Sequence, residues 1–194
     1  MKIIRVFPRR TSMTPIDDMV FIGSPPFPSM IPQADEVHIS VVFTWDKEPA
    51  MLLANAWRDW CPVVRIGGPA YGCKDDTFVP GRYIKQGITF TSRGCNFSCP
   101  YCLVPEMEGK FRQLKTIHEG NIIQDNNILL ANRNHFEQVI QMLKTQKRID
   151  FKGGLDCRLL KDWHVELLRG LKIHELWLAF DQLDRTDDFV TACL

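Results

Sequence analysis

The stretch Val37-His38-Ile39-Ser40-Val41-Val42-Phe43-Thr44 limits the folding options of this chain more than any other. It is rich in β-branched side chains and long enough to cross a sheet. A helical pattern follows at once. Asp46 is a candidate N-cap, Pro49 is tolerated in the first turn, and Leu53, Ala54, Trp57 and Trp60 recur at helical spacing. Val63–Ile66 then reads as a second strand, closed by Gly67-Gly68-Pro69. Strand, helix, strand is a βαβ unit, and such a unit predicts a parallel sheet. Lys2–Phe7 and Met19–Ile22 are two further short strands, separated from Val37 by the Pro-rich loop Ser24–Pro32. The chain is therefore expected to be α/β, with a Rossmann-like βα domain over residues 1–86.

The rhythm continues from Gly87. Ile88–Thr91 reads as a strand, and Asn121–Leu130 as another that Asp125-Asn126-Asn127 interrupts. Asn134 and Glu137 fit a capping box for a helix that would bury Phe136, Val139, Ile140 and Leu143. Ile149–Leu155 is a third strand, and a helix from about Asp162 carries Trp163, Leu167, Leu168 and Leu171. Leu176–Phe180 is a fourth strand, ending at Asp181, with a last helix from near Arg185. About four βα units over residues 87–194 look like the front of a (βα) barrel. Chemistry on such barrels lies at the carboxyl ends of the strands. The polar groups Asp125, Asn126, Asp156, Arg158 and Asp181 all fall there.

So does the loop Arg93-Gly94-Cys95-Asn96-Phe97-Ser98-Cys99-Pro100-Tyr101-Cys102. Thiolates clustered on one loop suit iron–sulfur or zinc. A structural zinc site usually closes with four ligands, often two C-x2-C pairs, and only Cys99 and Cys102 form such a pair. Three cysteines spaced C-x3-C-x2-C can instead hold three irons of a four-iron, four-sulfur cluster and leave the fourth open. The chain has seven cysteines, and Cys61, Cys73, Cys157 and Cys193 are scattered singly. An odd count with a tight cluster fits a reducing compartment better than a disulfide framework. Cys157 reads as a small core residue. A formal net charge of +1 argues neither for nor against nucleic acid, and no Lys/Arg block stands out as an electrostatic footprint. No apolar run approaches the roughly 18 residues of a membrane span, and the N-terminus lacks a signal-peptide core. A cytoplasmic protein without membrane contact is expected.

The loop resembles the signature of the radical S-adenosylmethionine (SAM) superfamily, including the aromatic residue before the last cysteine. The run Cys102-Leu103-Val104-Pro105 to Gly109-Lys110-Phe111-Arg112 is similar to the stretch after the cluster loop in methylthiotransferases and related radical SAM proteins. The resemblance implies a partial radical SAM barrel. Cys95, Cys99 and Cys102 would ligate a 4Fe-4S cluster whose open iron SAM chelates, and the reduced cluster would cleave SAM to a 5′-deoxyadenosyl radical. It further implies that Tyr101 approaches the adenine and that Asp125 accepts the SAM ammonium, with Asn126 beside it. Asp156, Arg158 and Asp181 would touch the SAM ribose and carboxylate or the substrate, or else Asp156 and Arg158 form a structural pair. Lys110 and Arg112 would meet an anionic substrate or are ordinary surface charges.

Residues 1–86 resemble the cobalamin-binding-like domain found ahead of many such barrels. The chain has no Asp-x-His-x-x-Gly motif, and His38 inside its strand reads as a packed or edge histidine, so cobalamin is not expected. An external electron donor such as flavodoxin or ferredoxin would be the partner, and RNA is one substrate class. The core reads as cut short after about four units, the N-terminal portion of a radical SAM protein or a departure from the family. Two rival readings stand beside this one. One is a non-catalytic metal-binding interaction module holding zinc or iron–sulfur, and the other is a truncated, inactive radical SAM protein.

Overall fold

The computed structural model describes residues 1–72, 78–180 and 186–193. The chain divides into two compact units, Met1–Asp75 with Gly81–Lys85 and Asp76–Pro80 with Gln86–Leu194. Both are mixed α/β, and each is built on a four-stranded parallel sheet.

In the first unit, strands β1 (Ile3–Phe7), β2 (Val20–Ile22), β3 (Glu36–Ser40) and β4 (Val64–Gly67) are ordered β2-β1-β3-β4. Alternation sets the register: Ile4 faces Val37 and Val6 faces Ile39, all four buried. Helix α1 (Lys47–Arg58) covers this sheet with Ala50, Ala54 and Trp57, spaced four and three residues apart. The Trp57 indole N–H donates to the Gly23 carbonyl at 3.1 Å, so its one polar atom is satisfied inside the core.

Three expectations need correction here. The strand from Val37 stops at Ser40, because Thr44–Asp46 coils into a 3-10 turn that leads into α1. Asp46 does not cap α1 with its side chain. It is 2 % exposed and accepts from both Nε and Nη2 of Arg9, which neutralise the buried carboxylate. Trp60 lies beyond the helix end and is exposed. His38 is packed, its ring nitrogens 2.5 Å from the Tyr83 hydroxyl and 2.7 Å from Glu36.

The second unit holds β5 (Ile88–Thr89), β6 (Ser92–Arg93), α2 (Val104–Met107), β7 (Arg112–Gln113) and β8 (Ile122–Ile123). It continues with α3 (Arg133–Lys144), β9 (Ile149–Asp156), α4 (Asp162–Arg169), β10 (Ile173–Ala179) and α5 (Thr186–Cys193). Its parallel sheet is ordered β10-β9-β8-β5. The expected stripe Phe136, Val139, Ile140 and Leu143 packs with Ile149, Phe151, Leu155 and Leu168 in one core. The cap of α3 is Asn132, two residues before the expected one, and its side chain accepts the His135 N–H at 2.9 Å. Glu137 instead pairs with Arg133 on the helix surface. The expected long strand through Leu130 shrinks to Ile122–Ile123, since Ile128–Leu130 forms a 3-10 turn. Among the described residues, no helix is long and apolar enough to cross a membrane.

Candidate functional site

The cysteine loop is fastened at both ends. Ser92 pairs with Gln113 and Arg93 with Arg112 in the antiparallel β6–β7 ribbon, and Cys95 N–H donates to Gly109 O at 3.2 Å. Gly94 has φ +73°, and a Cβ there would lie 2.3 Å from the Lys110 carbonyl oxygen. Only glycine allows the two sides of the loop to approach so closely. Across the loop, Cys102 N–H donates to Cys99 O at 3.0 Å and Phe111 N–H to the Asn96 side chain at 3.1 Å.

Glu108 joins this loop to the end of β8. Its carboxylate accepts the Gly94 N–H at 3.2 Å, the Arg93 guanidinium at 3.3 Å and the Asn126 amide N–H at 2.6 Å. Its own carbonyl accepts from Arg112 at 2.7 Å. Arg93 also lies 3.7 Å over the Phe90 ring. Glu108→Gln keeps the volume but removes the charge from three donors. It is expected to cost about 1 kcal/mol in urea unfolding. An unchanged urea midpoint would refute this.

Asp125 forms the base of the site. It is 2 % exposed and accepts the Thr91 N–H at 2.7 Å and the Thr91 and Ser92 hydroxyls at 2.6 Å each. Burial pushes its carboxyl up to about 6, outweighing the hydrogen bonds that favour the charged form. The expectation that Asp125 contacts a ligand's ammonium is therefore corrected. Its oxygens are taken up in tying β8 to the strand that leads into the cysteine loop. Gly153 of β9 permits this packing, since a Cβ there would fall 1.7 Å from the Asp125 carbonyl oxygen.

A cavity of about 130 Å³ opens at the carboxyl ends of β8, β9 and β10. Its walls bring together Cys95, Cys99, Cys102, Tyr101, Asn126, Asp156 and Arg158, each named from sequence. Asp125 is not among the lining residues, and Asp181 lies outside the described residues. Tyr101 is 56 % exposed at the rim. Asp156 and Arg158 form the structural pair: Arg158 Nε donates to Asp156 Oδ1 at 2.7 Å and Nη2 donates to Oδ2. The guanidinium rests 4.2 Å over Phe97 of the cysteine loop. With one edge engaged by Asp156, Arg158 does not offer that edge to an external carboxylate.

Five lining residues lie outside the expected set, Gly154 and Ala179 among them. Asn127 is 4 % exposed, and its Oδ1 is buried without a hydrogen-bond partner. Cys157 also lines the cavity, its thiol pushed up by burial and by the Asp156 carboxylate. Phe97 completes the wall under Arg158. Asn127 could have been chosen as readily as Asn126, but nothing local in the sequence distinguishes the two.

All four cavity thiols are free. Among the described residues, the group of metal-ligating side chains with atoms within 4.8 Å of one another is Asp150, His174 and Glu175. Cys95, Cys99 and Cys102 are not such a group, so at least one of their sulfur–sulfur separations exceeds 4.8 Å. Asp150, His174 and Glu175 already have cationic neighbours. Lys152 pairs with Glu175, and an Arg148 nitrogen lies 2.8 Å from His174 Nε2. No family model matches the chain, and searches of curated proteins and of solved structures found no similar protein.

Proposed function

We propose that this chain is a radical SAM enzyme, or the N-terminal portion of one, with a 4Fe-4S cluster held by Cys95, Cys99 and Cys102. One observation carries the reading. Three loop thiols share a cavity with Tyr101, Asn126, Asp156 and Arg158 at the carboxyl ends of parallel βα strands, where such folds carry their chemistry. The first unit's β2-β1-β3-β4 order fits a Rossmann-like companion domain, and the second unit fits the opening strands of a radical SAM barrel.

When bound, the cluster and SAM together supply one-electron, radical-generating chemistry, and the protein's task is binding and orientation. The amide N–H of Asn126 is engaged by Glu108, which leaves Oδ1 as that side chain's acceptor. Asn127 Oδ1 is a second acceptor with no protein partner. In this reading the two amide oxygens receive the SAM ammonium, the role expected of Asp125. Tyr101 covers the adenine, and the Arg158–Phe97 stack forms the wall that excludes water. A flavodoxin or ferredoxin supplies the electron.

Anaerobic reconstitution with iron and sulfide, followed by electron paramagnetic resonance, tests the proposal. The expected result is a reduced-cluster signal whose g values shift when SAM is added. A colourless, air-stable zinc protein would sink the reading, as would a cluster whose signal ignores SAM.

A further inference from the structure

The cavity contains one more thiol than the loop motif provides. Cys157 is the first residue after β9, is 7 % exposed, and lines the same cavity as Cys95, Cys99 and Cys102. Its two neighbours hold it against the cysteine loop. Asp156 accepts the Arg158 backbone N–H at 3.2 Å and closes a tight turn around Cys157. The Arg158 guanidinium then stacks on Phe97, which lies between Cys95 and Cys99 in the chain. Four cysteines from two separate elements therefore line one cavity. Asn127, whose buried Oδ1 has no hydrogen-bond partner, lines it too. Four cysteines are the full complement of a conventional 4Fe-4S cluster.

We propose that Cys157 is a fourth iron ligand, bound to the remaining iron while SAM is absent and displaced when SAM arrives. The inference rests on the cluster reading above. On binding, Cys157 releases its thiol proton to solvent and forms an S–Fe bond. On displacement, that bond would break, SAM would bind the iron in place of the thiolate, and the thiolate would recover a proton. No electron is transferred. The resting cluster is then fully ligated, and the iron opens only when SAM is there to fill it.

The test compares the reconstituted wild-type chain with Cys157→Ala and Cys157→Ser, each checked by circular dichroism for a native fold. Without SAM, the Cys157→Ala signal is expected to have shifted g values. Its iron should pass to a chelator at least about threefold faster than the wild type's. With SAM added, the two proteins should give the same spectrum and the same rate. Cys157→Ser, which retains an oxygen donor, should fall between them. Identical SAM-free spectra and rates for wild type and Cys157→Ala would overturn this inference while leaving the three-cysteine cluster intact. A wild-type chain that takes up no cluster would overturn both readings together.

Discussion

Cys99→Ala is expected to lower the iron held after anaerobic reconstitution by at least about tenfold, and to abolish the thiolate-to-iron absorption. Cys99 is the middle thiol of the loop and faces the cavity from its wall. The contacts that fasten the loop do not involve the Cys99 thiol, so the change removes a donor without removing the frame. Gly94, Glu108 and the β6–β7 ribbon keep their partners. Cys61→Ala is the control. Its thiol is 4 % exposed in the other unit, where the sulfur lies 3.5 Å from the Asp35 carbonyl oxygen. That variant is expected to retain wild-type iron. Equal iron in Cys99→Ala and the wild type, measured by colorimetric assay, would remove Cys99 from the ligand set.

Asp125→Ala is expected to destabilise the second unit by about 3–5 kcal/mol. The substitution leaves the Thr91 N–H and the hydroxyls of Thr91 and Ser92 buried without their common acceptor. Asp125→Asn retains one acceptor and the volume, and should cost far less. The two variants separate packing from charge. A urea midpoint for Asp125→Ala within experimental error of the wild type would refute the assignment.

The raised carboxyl gives the same residue a pH signature. The unfolded chain releases this proton near pH 4, whereas the folded chain retains it until about pH 6. Between those values the folded state binds more protons than the unfolded state, so this residue's contribution falls as pH rises through the window. It is fully present below about pH 4. The linked change is roughly 3 kcal/mol across the window. Asp125→Asn should lack it, so the difference in unfolding free energy between wild type and variant should itself vary with pH. A pH-independent difference would contradict the raised value.

What the sequence revealed was local. Strand and helix periodicity pointed to parallel sheets, because patterns such as Leu53, Ala54 and Trp57 repeat within a few residues, although Trp60 of the same expected stripe is exposed. The three loop cysteines were legible for the same reason. The role of Asp125 was not, since its partners Thr91 and Ser92 lie 34 and 33 residues away in sequence. Glu108 reaches Gly94 and Asn126 across 14 and 18 residues, and the β6–β7 ribbon is too short for any periodic signal. Asn132 and Asn134 carry the same side chain, and only the backbone geometry of α3 decides which one caps it.

The closed β6–β7 ribbon bears on how the protein would age in air. Oxygen attacks the inorganic part of an iron–sulfur protein first, and in a chain that folds around its metal this damage would unravel the domain. Here the loop is fastened by Gly94, Glu108 and paired backbone, none of which needs a metal to hold it. Were the proposed cluster lost to oxygen, the loop should therefore stay an intact receptacle, and repair would be a matter of restocking iron and sulfide rather than of refolding or resynthesis.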